Sequence, residues 1–220
     1  MKIEVQGTPL PVAICYLDAG ESIKTEKGAM SWMSPNLAMS TEGGGLGKMF
    51  SKALSGESMF HNIYTAQGGP GMLAMGSSFP GDILVLDVTN NPIIAQKHAF
   101  LACETSVDMK IHFQRKLGAG FFGGEGFIMQ SFTGNGKVIL EIDGSVITYD
   151  LGPGESMLVD TGCLALMTAS CQMDIESVKG IGNKLLGGEG FFNTRVTGPG
   201  RVWLQSMPSS NLVAGAIAGR

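Results

Sequence analysis

Charge is scarce in this chain of 220 residues: charged side chains make up 15%, the net charge is −4, and the longest basic run is the pair Arg115-Lys116. A protein that neutralises nucleic-acid phosphates needs a cationic face, so no nucleic-acid partner is expected. Long apolar runs are missing too. No stretch approaches the ~18 apolar residues of a membrane span, and Met1 to Gln6 alternates like a strand where a signal peptide would carry an apolar core. The four cysteines, Cys15, Cys103, Cys163 and Cys171, form no Cys-x-x-Cys spacing and lie in apolar surroundings. They read as buried free thiols in a reducing compartment, hence a cytoplasmic soluble protein. Long helical periodicity is absent, and the best helical segment is Gly47 to Leu54, with short counterparts at Arg115 to Phe122 and Lys179 to Leu186.

Catalytic and metal-binding patterns are equally thin. The three histidines, His61, His98 and His112, form no His-x-His pair, and no Gly-x-Ser-x-Gly marks a nucleophile. Gly118 to Gly123 matches the dinucleotide pattern G-x-G-x-x-G, but strands follow it where that fingerprint needs a helix. Gly43 to Lys48 hints at a phosphate loop, yet Glu42 replaces the first glycine and Met49 the magnesium-binding hydroxyl residue. No cofactor, metal or enzymatic activity is expected on these grounds.

Glycine is abundant, at 33 residues, about twice the usual share of roughly 7%. It clusters between short apolar alternations, a pattern of many short strands joined by tight turns. The arrangement repeats. Gly123-Gly124-Glu125-Gly126-Phe127 followed by Thr133-Gly134-x-Gly136-x-Val138-x-Leu140 recurs from Gly187 to Leu204, and residues 117–141 and 181–205 agree at 11 of 25 positions. A degraded copy runs from Gly56-Glu57 to Gly69-Pro70-Gly71. A second half-unit, Gly20 to Glu42, aligns with Gly154 to Glu176 at seven of 23 positions, with Asn90 to His112 as its middle copy. The expected organisation is all-β, with repeats at 1–78, 79–143 and 144–208 and a flexible tail at 209–220. A unit of about 65 residues struggles to bury its faces alone, so three copies about a pseudo-threefold axis would share one core. Lys137 to Leu151, with Asp143-Gly144 between alternating apolar residues, predicts a tight hairpin.

Glu57, Glu125 and Glu189 are the ionisable side chains that recur in all three copies of the Gly-Glu motif. Each carboxylate either accepts backbone N–H bonds from its own glycine-rich turn or helps hold a cation or ligand amine. Glu21 and Glu155 recur in two copies, where a Gly-Glu turn explains them. Phe121, Phe122, Phe127, Phe191 and Phe192 read as core, or as an apolar rim for oligomerisation or peripheral membrane contact.

On the triplicated Gly-Glu-Gly-Phe and Thr-Gly-x-Gly-x-Val-x-Leu motifs, and on Leu151-Gly152-Pro153-Gly154-Glu155, the chain resembles the bacterial branch of the mitochondrial-biogenesis family named for altered inheritance of mitochondria. The resemblance covers about residues 1–207. It implies a fold similar to the tryptophan RNA-binding attenuation protein (TRAP), with three shortened double-stranded β-helix units. It supplies no catalytic residues, and the chain has no repeated basic residues to carry over RNA binding. The expected function is non-enzymatic: a binding or scaffolding protein, forming homo-oligomers or meeting a protein partner. The alternative is small-ligand or metal binding in clefts between repeats.

Overall fold

The computed structural model describes residues 1–42, 61–115, 126–177 and 192–209. The protein is all-β: the described residues form short strands, tight turns and 3-10 turns at Lys97–Ala99 and Thr161–Cys163. The three helical candidates lie, apart from Arg115, outside the described residues, as do the two glycine-rich nucleotide-type patterns.

The strands divide between two compact units. The first is built within Met1–Asn90, Phe100–Asp108 and Gly134–Glu141. Its first sheet runs in the order β1 (Lys2–Gln6), β2 (Val12–Leu17), β7 (Gly71–Gly76), β4 (Met30–Met33). Its second runs β5 (Leu37–Glu42), β6 (His61–Ala66), β3 (Ser22–Thr25), β10 (Phe100–Glu104), β13 (Lys137–Asp143), β8 (Gly81–Asp87). Alternation drives the inward set: Ala13, Cys15 and Leu17 of β2 are buried, and they join Ile23, Leu73 and Ile139 in one core cluster.

The second unit is built within Asn91–Ala99, Met109–Thr133 and Ile142–Arg220. One sheet runs β11 (Val107–Arg115), β12 (Phe127–Gly134), β9 (Ile93–Gln96), β16 (Leu164–Thr168), β19 (Gly200–Gln205), β14 (Val146–Leu151), and the other β15 (Ser156–Asp160), β18 (Phe192–Thr197), β17 (Gln172–Ser177). β9 is buried at every residue and β16 at its first four, the continuous apolar runs of strands covered on both faces. Phe127 is fully buried, its ring meeting Phe113 edge-on at 6.4 Å. Phe192 is half-buried against the same core.

The hairpin expected over Lys137 to Leu151 does not form. The turn is present, with Gly144 at φ 75°, but β13 lies between β10 and β8 while β14 pairs with β19. An Asp-Gly turn fixes a local reversal, not which strands bond across it. Here the partners lie far along the chain, and Ile147 and Tyr149, apolar positions of that alternation, are exposed.

The first glycine of Thr-Gly-x-Gly has a steric cause. A Cβ on Gly134, itself at φ +101°, would lie 2.6 Å from the backbone oxygen of Ser106. One on Gly198 would lie 2.5 Å from that of Gly152. Neither carbonyl can retreat without moving its strand connection, so only glycine fits.

Candidate functional site

Glu57, Glu125 and Glu189, the glutamates favoured by the repeat, lie outside the described residues. Phe121, Phe122 and Phe191 lie outside them as well. The two-copy glutamates are visible, and both serve turns. In Asp18-Ala19-Gly20-Glu21 the Glu21 amide donates to the Asp18 carbonyl at 2.9 Å, and a Glu21 carboxylate oxygen accepts from the Asp18 amide at 2.7 Å. In Gly152-Pro153-Gly154-Glu155 the same bonds measure 3.1 and 2.9 Å. The next residues match too: Ser22 and Thr65 share a hydroxyl bond of 2.7 Å, Ser156 and Thr197 one of 2.8 Å.

Buried polar groups gather around the 3-10 turn Thr161–Cys163. The Gln96 side-chain amide donates to the carbonyls of Thr161 and Gly162 at 3.3 Å and to that of Leu164. Gln205 donates to Gly162 at 2.8 Å, Thr161 to the Phe192 carbonyl at 2.8 Å, and Asp160 caps the Gly162 amide at 2.8 Å. These side chains are spent on backbone groups that would otherwise be buried unpaired, which makes the cluster a structural tie.

His61 is buried, its ring edge-on to Phe100 at 5.4 Å, while His98 and His112 are exposed. All four cysteines are free thiols, three of them buried, and burial pushes Cys15 up to about 12. Among the described residues, no three His, Cys, Asp or Glu side chains converge to hold a metal, and no helix is long and apolar enough to cross a membrane. The surface ion pairs, Arg201 with Asp150 at 2.7 and 2.9 Å and Arg195 with Glu176 at 2.7 Å, bridge facing strands in solvent and are worth little.

What stands out is two strands that end their sheets. β10 and β16 sit inside six-stranded sheets, and each carries a bulge, between Phe100 and Ala102 and between Leu164 and Leu166. β4 has the same bulge, between Met30 and Trp32, yet it pairs with β7 alone among the described strands. All four of its residues are exposed, Met30 by 37%, Trp32 by 49% and Met33 by 36%. β15 likewise ends its sheet beside β18, with Leu158 exposed by 52%. Apolar strand edges of this kind are templates for another strand. No sequence signal marked them, because Met30-Ser-Trp-Met is as apolar as its buried counterparts.

The fold and this site define a class: an all-β protein with open, apolar sheet edges. Comparison with known proteins gives the family. The model of the family described as mitochondrial biogenesis AIM24 matches residues 3–207, and the chain belongs to that family. It is 30% identical over 209 residues to an uncharacterised protein of Streptococcus pyogenes serotype M6, covering 90% of this chain and 82% of that one. It is also similar to a Streptococcus pyogenes protein solved by X-ray crystallography in a structural-genomics programme. That likeness has a TM-score of 0.82 and 26% identity, over 99% of this chain and 98% of the other.

Proposed function

We propose that this protein is a non-enzymatic binding or scaffolding module, made of three copies of one TRAP-like β unit and able to assemble with itself. The observation that carries the reading is the pairing scheme. In β2–β7 the first and third strands bond to the sixth, and the second and fourth bond to the fifth. The same neighbours recur in β8–β13 and again in β14–β19. Six strands bonded in two interleaved groups are what a short double-stranded β-helix requires.

A scaffold is favoured over catalysis because the visible carboxylates and amides of the turns are engaged by backbone. Part of the exposed apolar surface, at Met30, Trp32, Met33 and Leu158, lies on strands that end their sheets and offer hydrogen bonds in a fixed row. Such edges recognise another strand better than a small molecule. Native mass spectrometry across a concentration series tests the reading. Discrete multiples of 23.1 kDa are expected; a monomer at every concentration sinks the self-assembly.

A further inference from the structure

Resting on that reading, we propose that the partner is a second copy of this chain, and that β4 of one copy pairs antiparallel with β15 of the other, Met33 opposite Leu158 and Trp32 opposite Val159.

The register comes from two junctions already made inside the chain. β3 pairs with β10 through Ile23 with Glu104, Lys24 with Cys103 and Thr25 with Ala102. β9 pairs with β16 through Ile93 with Thr168, Ile94 with Met167 and Ala95 with Leu166. In each, the second strand of one six-strand set bonds to the third strand of the next set. The second strand of the last set is β15 and the third strand of the first set is β4, and neither has such a partner among the described strands.

Residue equivalence is set on both sides. Trp32 faces Ala74 just after the β4 bulge, as Ala102 faces Ile139 and Leu166 faces Trp203 after theirs. Met33 therefore stands where Cys103 and Met167 stand. Ser156 bonds Thr197 as Ser22 bonds Thr65, so Met157, Leu158 and Val159 stand where Ile23, Lys24 and Thr25 stand. In the second junction the residues matching Leu158 and Met33 are Ile94 and Met167, and both are buried. The exposure of Leu158 and Met33 is what that pair would show with one strand taken away.

The two edges differ, so the contact is head-to-tail: repeated from copy to copy it closes into a ring where the rotation allows and otherwise propagates, whereas two reciprocal contacts close a twofold dimer. Edge-strand addition supplies backbone bonds along the whole row, and the apolar pairs fix its register.

The test mixes tagged Met33→Cys chains with untagged Leu158→Cys chains and adds a short bis-maleimide. A covalent species containing one tagged and one untagged chain is expected, at least tenfold above the wild-type background of native thiols. Replacing the first partner with Met39→Cys, at an exposed position of β5, should remove it. Three results overturn the proposal: no mixed product, equal linking by Met39→Cys, or a Met33→Cys/Leu158→Cys chain that cross-links only within itself. If native mass spectra still show multiples while the mixed product is missing, the edges are wrong but self-assembly stands. A persistent monomer removes both.

Discussion

Trp32 and Ala102 occupy the same place on their strands, each the first residue beyond a bulge, yet Trp32 is 49% exposed and Ala102 is fully buried. The difference lies in the neighbours: β10 is flanked by β3 and β13, whereas β4 has β7 alone among the described strands. Trp32→Lys puts a charge where an incoming strand would sit, a device natural sheets use to keep edges apart. Assembly should be lost by light scattering. Stability of the single chain should change by no more than about 0.5 kcal/mol, as for other surface substitutions.

Gly134→Ala should be strongly destabilising, because its Cβ meets the Ser106 carbonyl and its φ disfavours any L side chain. Overpacking of this kind costs about 1–3 kcal/mol. Gly154→Ala, at φ 76° but with nothing within 4 Å of the new Cβ, should cost less. Thermal melts of the two variants make the comparison.

Gln96→Leu keeps the volume of the side chain and removes its donors. The carbonyls of Thr161 and Leu164 then lose a buried partner, while Gly162 keeps Gln205. An orphaned buried group costs about 1–3 kcal/mol. The midpoint of urea unfolding should fall accordingly with an unchanged slope.

The thiols should react in two classes. Cys163, half-buried, is the one to label slowly with a disulfide reagent in the native protein; Cys15, Cys103 and Cys171 should need denaturant. Burial raises Cys15 from its ordinary value near 9 to about 12. The folded state thus holds the proton more tightly than the unfolded chain. That contribution to stability is complete below pH 9 and falls as pH rises from 9 towards 12. In Cys15→Ala this part of the alkaline loss should disappear, as read from melts at stepped pH.

Strands were legible because period-two alternation is local: the alternation of Met1 to Gln6 forms β1 as expected. The hairpin over Lys137 to Leu151 misled for the same reason, since a turn records nothing about distant strands. The glycine pattern of Thr-Gly-x-Gly was visible, but its cause, the carbonyls facing Gly134 and Gly198, was not. The edges were hidden because burial of an apolar strand is decided by its neighbours, and Met30 to Met33 reads like Leu164 to Met167. The structural role expected for Glu21 and Glu155 matches their turn bonds. Glu57, Glu125 and Glu189 fall outside the described residues.

Amide hydrogen exchange, followed from dilute to concentrated protein, tests the central claim most directly. Pairing between copies predicts that protection of Met30–Met33 and Ser156–Asp160 rises with concentration, while the interior strands β10 and β16 stay constant. Protection of β4 and β15 that is the same at every concentration would contradict it.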